Sequence, residues 1–342
     1  MDANFNRARE ALRVVEEYCR FSLGDRVLSS RAKELRHVLS GIMSELDGGR
    51  LLGSRDSRGD VGAGAEVAGQ MERGELRDCV TAACKRLSEA LRVLAETGAL
   101  HDKALSGRFE KLRFAGYSLE KDIAVTADPA ARYAKVRLYV VITSDLPAEL
   151  LSLAAHCAKG GADCIQMRTK EVPDDRRFAM AREFVRICAD EGVLSIVNDR
   201  ADVAIAAGAD GVHVGQNDLP VEQIRALQTR PLIIGKSTHA MEQLRAAMDE
   251  RVTYAALGPV FPTGTKPKVP AVTLGYVRQG SAALEGTGIR NVAIGGITGE
   301  NVEQVLEAGA RSIAVCAAAT KVADPQEACR GLKEQILRFF ER

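Results

Sequence analysis

Apolar residues at Phe5, Ala8, Leu12, Val15 and Cys19 recur at the i, i+3, i+4, i+7 spacing of an amphipathic helix, which predicts a helix over Phe5 to Phe21. Similar stripes predict helices over Arg31 to Leu46, Glu75 to Thr97 and Ala104 to Ile123. From Val136 the period changes. Short β-rich apolar runs now alternate with helical segments: Val136 to Ile142, Asp163 to Met167, Val193 to Val197, Gly211 to Val214, Leu232 to Gly235, Tyr254 to Leu257, Asn291 to Ile294 and Ser312 to Cys316. Helical patterns follow, among them Ala148 to Lys159, Arg176 to Asp190, Val221 to Gln228, Met241 to Glu250, Asn301 to Ala308 and Pro325 to Phe340. Eight strand–helix units with near-continuously apolar strands are the count of a (β/α)8 TIM barrel. An open doubly wound sheet is the alternative, weakened because no Gly-x-Gly-x-x-Gly follows the first strand.

The helical part carries an internal repeat. Asn6 to Glu17 (NRAREALRVVEE) and Lys85 to Glu96 (KRLSEALRVLAE) align without gaps at an offset of 79, and Arg31, Leu35 and Arg36 meet Arg108, Leu112 and Arg113 at an offset of 77. A duplicated helical hairpin, hence a four-helix, all-α bundle, is expected over residues 1–125. Between its halves Asp47 to Gly74 is rich in Gly, Arg and Asp, either a surface loop or a loop serving a neighbouring site. Residues 126–135, with Asp128-Pro129, read as a linker, and residues 136–342 as the barrel.

With 342 residues, 46% of them hydrophobic, the chain can bury a large core. A formal net charge of +1 gives no global field for nucleic acid, so any anion site is local. The N-terminus is polar and no apolar run approaches about 18 residues, so neither a signal peptide nor a membrane span is expected. Eight scattered cysteines, without a Cys-x-x-Cys pair, read as reduced core thiols of a cytoplasmic protein.

A barrel collects its chemistry just after its strands. There stand Thr143-Ser144, Gln166-x-Arg168-x-Lys170, Asn198-Asp199-Arg200, Gln216-x-Asp218, Ser237 with His239, the run Gly258 to Lys266, and Gly295-Gly296. Gln166, Arg168 and Lys170 alternate, so on an extended segment all three face one anion. Thr263, Thr265 and Lys266 add hydroxyls and an ammonium, and Gly295-Gly296 leaves room for a phosphate at a helix start. Asp199 and Asp218, after adjacent strands, supply two carboxylates, too few for a protein cage and suited to Mg2+ completed by water and phosphate oxygens. Each feature has a plainer reading: either aspartate can cap a helix, Arg168 and Lys170 can be rim charges, and His239 can open a helix. Their joint occurrence on one rim favours a site.

The motifs QMRTK, NDR, GVHVGQNDLP, GKSTH, YAALGPVFPTGTK and AIGGI make residues 136–342 resemble the thiamine-phosphate synthase (thiamine-phosphate pyrophosphorylase) family throughout and in order. The resemblance implies a transferase of thiamine biosynthesis that couples 4-amino-2-methyl-5-hydroxymethylpyrimidine diphosphate to 4-methyl-5-(2-phosphoethyl)thiazole by a dissociative, Mg2+-assisted substitution, giving thiamine phosphate and pyrophosphate. It implies that Gln166, Arg168, Lys170, Asn198 and Lys266 hold the pyrimidine diphosphate, Asp199 and Asp218 its Mg2+, Ser237 the diphosphate edge, and Thr263, Thr265 and Gly296 the thiazole phosphate. Of these, Arg168, Lys170, Ser237 and Lys266 would be catalytic. Two departures stand out. Lys236 replaces a residue that is often apolar, and is expected to add positive charge near the diphosphate. Ala317 replaces a common serine, so a phosphate contact at Cys316-Ala317 must come from backbone N–H groups. A thiazole tautomerase-like barrel and a non-catalytic regulator are the rivals; the complete Gln-x-Arg-x-Lys run and the two aspartates argue against both. Similar helical extensions precede the synthase in some members, and the bundle is expected to self-associate or to pack on the barrel.

Overall fold

The computed structural model describes residues 1–23, 25–47, 53, 73–263 and 271–342, and they divide into two compact units, Met1–Ala124 and Val125–Arg342. The first is helical: α1 (Asp2–Glu17) runs on into a π-helical turn (Tyr18–Ser22), followed by α2 (Arg26–Asp47), α3 (Leu76–Ala99) and α4 (Lys103–Tyr133). The repeat is a structural one. Ala8, Ala11, Leu12 and Val15 are buried on α1, and their mates Leu87, Ala90, Leu91 and Leu94 are buried on α3. Both helices also carry the same i, i+4 pair, Arg13–Glu17 at 2.8 Å and Arg92–Glu96 at 2.7 Å. The halves exchange charges reciprocally: Arg31 meets Asp122 at 2.5 Å and Arg108 meets Glu45 at 2.6 Å, all four being mates at the offset of 77. Such exchange is what two-fold related hairpins produce. The Gly/Arg/Asp stretch Asp47 to Gly74 lies for the most part outside the described residues.

The expected linker over 126–135 is mostly helix, since α4 continues to Tyr133 through Pro129. An interior proline costs a helix about 3 kcal/mol. Here the helix is extended because its last residue is an anchor: Tyr133 is fully buried and its ring stacks on Tyr254 at 4.2 Å and 4°.

The second unit is a closed barrel of parallel strands in the order β1 to β8. They are β1 (Leu138–Thr143), β2 (Cys164–Arg168), β3 (Leu194–Asn198), β4 (Gly211–Val214), β5 (Ile233–Thr238), β6 (Tyr254–Leu257), β7 (Arg290–Ile294) and β8 (Ile313–Val315). Between them lie α5 (Pro147–Lys159), α6 (Asp174–Asp190), α7 (Ala201–Ala207), α8 (Val221–Leu227), α9 (Met241–Asp249), α10 (Thr273–Leu284) and α11 (Val302–Glu307), with α12 (Ala317–Thr320) and α13 (Pro325–Phe340) after β8. All eight strands fall where the sequence predicts them, and the barrel, not the open sheet, is the fold. Strand alternation makes two cores. One, with Ile165, Val197, Val212, Ile234 and Leu257, lies under the helices. The other, with Tyr139, Cys164, Ile196, Ile233, Tyr254 and Val292, fills the barrel. No described helix is long and apolar enough to cross a membrane, and all eight cysteines carry free thiols.

Candidate active site

Inward-facing residues near the C-terminal strand ends enclose a cavity of about 160 Å³. Its wall takes Gln166 and Arg168 from β2, Asn198 from β3, His213 from β4 and Ser237 from β5. Val141, Ala256, Val292, Ile294 and Ala314 supply the apolar side. An apolar hollow with a few converging polar groups suits a flat heterocycle carrying charged appendages.

A chain of buried hydrogen bonds crosses the barrel beneath it. Gln166 Nε2 donates to Tyr139 Oη at 2.7 Å, the two hydroxyls of Tyr139 and Tyr254 lie 2.8 Å apart, Tyr254 Oη is 3.0 Å from His213 Nδ1, and His213 Nε2 is 2.9 Å from Ser237 Oγ. One direction satisfies every member: Gln166 to Tyr139, Tyr139 to Tyr254, Tyr254 to His213 Nδ1, and a neutral imidazole donating from Nε2 to Ser237. Burial pushes the Tyr139 and Tyr254 hydroxyls well above the usual phenol range, so both stay protonated donors. Gly235 makes room for this arrangement, because a Cβ there would lie 2.0 Å from Tyr254 Cζ.

Arg168 brings charge to the wall, and its buried Nη1 has no hydrogen-bond partner among the described residues. Buried guanidinium N–H groups are costly unless paired, so this one marks a place for an anionic acceptor. Lys170 does not share that wall. β2 ends at Arg168, the alternation ends with it, and Lys170 lies exposed in a bend whose backbone N–H donates to Asp145 Oδ1 at 2.6 Å.

The two aspartates stand beyond adjacent, paired strands, with Asn198 of β3 in register with His213 of β4. Asp199 has a φ of 63°, its N–H donates to the His213 carbonyl at 2.8 Å, and the Arg200 N–H folds back onto the Asn198 carbonyl at 2.8 Å. That i to i+2 bond closes a γ-turn of positive φ, a strained conformation costing about 1–3 kcal/mol. Asp218 Oδ2 accepts from the Gly215 N–H at 2.6 Å. Neither aspartate is the N-cap residue of a helix, since those of α7 and α8 are Arg200 and Pro220. No group of three or more His, Cys, Asp or Glu gathers into a metal cage among the described residues. Two hard oxygen donors at neighbouring strand ends therefore fit a cation that keeps water and substrate oxygens, as Mg2+ does.

The opposite side is built from β6, β7 and β8. Gly295 and Gly296 have φ of 107° and 65° and pack under the loop after β6, where a Cβ would lie 2.4 Å from Pro259 Cβ and 2.7 Å from Phe261 Cβ. They line the cavity but do not open a helix, as α11 begins only at Val302. The helix that starts at the wall is α12, whose N-cap is Cys316, and Cys316 and Ala317 both line the cavity. Thr263 lines it too; Thr265 and Lys266 lie outside the described residues.

Lys236 corrects the sequence expectation. It sits between the inward-facing Gly235 and Ser237, so strand alternation turns it outward, where Nζ meets the Glu250 carboxylate at 2.5 and 2.7 Å beneath the helices. It adds no charge to the cavity. The sequence reading also missed Tyr139, His213 and Tyr254. Their signal is parity: Tyr139 precedes Val141, and His213 and Tyr254 fall two residues after or before inward positions of their own strands.

Residues 138–319 match the family model described as thiamine monophosphate synthase, and residues 1–122 that of the ThiD2 family. A thiamine-phosphate synthase of Thermosynechococcus vestitus is 38% identical over 341 residues, covering 98% of this chain and 94% of that protein. One of Rhodopirellula baltica is 38% identical over 346 residues, covering 99% and 92%. Among solved structures, a thiamine phosphate pyrophosphorylase of Pyrococcus furiosus is 31% identical and superposes with a TM-score of 0.56 over 61% of this chain and 98% of that one. With a barrel whose rim carries the family's motifs and relatives that align along its whole length, the chain belongs to the thiamine monophosphate synthase family.

Proposed function

We propose that this chain joins 4-amino-2-methyl-5-hydroxymethylpyrimidine diphosphate to 4-methyl-5-(2-phosphoethyl)thiazole, giving thiamine phosphate and releasing pyrophosphate. The observation that carries the reading is the buried Arg168 Nη1, without a hydrogen-bond partner among the described residues, on the wall of an apolar cavity with a hydroxyl-rich floor. An anion held at the mouth with a planar ring lying below fits the pyrimidine diphosphate.

In this reading the methylene C–O bond of the pyrimidine breaks first, its electron pair leaving with the diphosphate while the amino group feeds charge to the methylene carbon. The thiazole nitrogen lone pair then forms the new C–N bond. No strong base is required, so the site's task is to bind the departing charge and to align two rings. Arg168, Gln166 and Asn198 would receive the diphosphate, and Lys170 and Lys266 are assigned to the same group. With the His213 ring donating to its oxygen, Ser237 would keep its own hydrogen to donate to the diphosphate edge. Asp199 and Asp218 would hold Mg2+, which supplies neutralisation of the leaving pyrophosphate. Thr263, Thr265, Gly296 and the backbone at Cys316-Ala317 would take the thiazole phosphate.

Catalysis is assigned to residues 136–342, acting in the cytoplasm, where the eight free thiols stay reduced. Self-association is assigned to the helical unit. Its support is that repeat mates are exposed in pairs, Val14 and Val93 at 37% and 41%, Phe21 and Leu100 at 71% and 85%.

The test is a coupling assay on purified protein. Pyrophosphate release should require both substrates and Mg2+, and Arg168→Met or Asp199→Ala should lose about 2.7–4 kcal/mol of transition-state stabilisation, about 100- to 1,000-fold in turnover. Absence of thiamine phosphate from the wild-type reaction would sink the proposal.

A further inference from the structure

Arg200 follows Asp199 but does not line the cavity; its guanidinium is shared between two other carboxylates. Nη1 and Nη2 meet Asp174 Oδ1 and Oδ2 at 2.5 and 3.1 Å, while Nε and Nη2 meet Asp202 Oδ1 and Oδ2 at 2.9 and 2.6 Å. Asp174 opens α6 and Asp202 lies in the first turn of α7, so one side chain ties two helix starts to the residue that closes the Asp199 turn. Bonding to Asp202 and Asp174 holds the Arg200 guanidinium further into its charged range, and bonding to Arg200 holds both carboxyls below their usual range.

A non-glycine residue at positive φ persists only where its surroundings over-determine it. Asp199 is gripped on one side by the His213 carbonyl of β4 and on the other by Arg200, whose N–H completes the turn and whose side chain cannot swing away without breaking two bidentate pairs. Asp174 also receives Arg177 at 2.5 Å, and Arg177 Nε reaches Thr169 Oγ1 at 3.1 Å, next to Lys170. The same carboxylate therefore braces the Asp199 turn and the loop after β2.

We propose that Arg200 is a positioning residue for the cation site, holding the strained turn that presents Asp199. This rests on the reading of Asp199 and Asp218 as cation ligands. Arg200 makes no contact with the cation or substrates in this role; it fixes the backbone from which one ligand projects. Forks matter here, because a lysine keeps the charge but cannot pair with two carboxylates in a plane.

The experiment is Mn2+ binding to the full-length protein, followed by electron paramagnetic resonance with Mn2+ alone and with inorganic pyrophosphate. Arg200→Gln and Arg200→Lys should each weaken Mn2+ binding by about tenfold, the scale of losing an outer support of a metal ligand. The KM for the thiazole phosphate should be unchanged, whereas a general loosening of the fold would move it as well. Asp174→Asn, which removes one arm of the fork, should weaken Mn2+ binding in the same direction and serves if the arginine variants fail to fold. Wild-type affinity in folded Arg200→Gln, with Mn2+ bound by the wild type, overturns the inference alone. A wild type that binds no Mn2+ with or without pyrophosphate overturns the cation reading and the inference together.

Discussion

His213 Nε2 lies 2.9 Å from Ser237 Oγ across neighbouring strands, and the opposite nitrogen of the same ring lies 3.0 Å from the Tyr254 hydroxyl. The imidazole thus reads the state of the barrel floor and passes it to a hydroxyl in the candidate site. Removing the Tyr254 hydroxyl takes one buried hydrogen bond from His213 Nδ1 and one from the Tyr139 hydroxyl. Tyr254→Phe is expected to cost about 1–3 kcal/mol of stability. It should also lower turnover, since the bond from Tyr254 favours the Nε2-protonated tautomer that donates to Ser237. Denaturant unfolding and steady-state kinetics check both, and an unchanged kcat would remove Ser237 orientation from the account.

Gly235 is the steric condition for Tyr254. A Cβ there would sit 2.0–2.5 Å from three atoms of the tyrosine ring. Gly235→Ala should destabilise the barrel by about 3 kcal/mol or more, the upper range of overpacking. Thermal unfolding of the variant near the wild-type midpoint would show that the ring has another place to go.

Lys236 separates stability from catalysis. Its side chain is 10% exposed and its partner Glu250 31%. Lys236→Met strands a carboxylate that still touches water, so the loss is discounted from the buried-pair range to about 1–3 kcal/mol. Both KM values should stay within about twofold of wild type, since the ammonium does not reach the cavity. A large rise in the KM for the pyrimidine diphosphate would return Lys236 to the site.

Alkaline pH should unfold the barrel early. Burial raises the Tyr133, Tyr139 and Tyr254 hydroxyls well above their ordinary value of 10.0. With the folded pKa above the unfolded one, the contribution is fully present below about pH 10 and is lost as pH rises beyond it, because only the unfolded phenols ionise. Denaturant midpoints measured from roughly pH 8.5 to 11 should fall steeply at the top of the range. Tyr139→Phe, which deletes one such group, should flatten the fall.

The position of Tyr133 makes the cut between fragments matter. A fragment of residues 125–342 keeps the ring stacked on Tyr254, and one of residues 136–342 loses it. The shorter fragment should unfold at lower temperature by several degrees, as burial of a large aromatic implies. Equal midpoints would make the end of α4 dispensable to the barrel.

The sequence by itself determined the elements and the rim. Period and strand count are local properties, so the strands were legible to within three residues at either end, and the repeat at offsets of 79 and 77 announced a duplicated hairpin whose mates turned out buried alike and charge-paired reciprocally. Motif residues next to strand ends, Gln166, Arg168, Asn198 and Ser237, were legible because a barrel puts that edge on one face. What only the tertiary structure decided was orientation and partnership. Lys236 looked like a site cation, yet alternation about Gly235 and Ser237 sends it to Glu250. Lys170 looked like the third of a row, yet β2 ends before it. Pro129 looked like a break, yet a buried ring at Tyr133 carries the helix past it. Tyr139, His213 and Tyr254 lie on three strands far apart in the chain, and only barrel closure brings them into one hydrogen-bonded line. The strained turn at Asp199, with Arg200 locked between Asp174 and Asp202, is of the same kind, because the side chains that hold it come from the starts of two different helices.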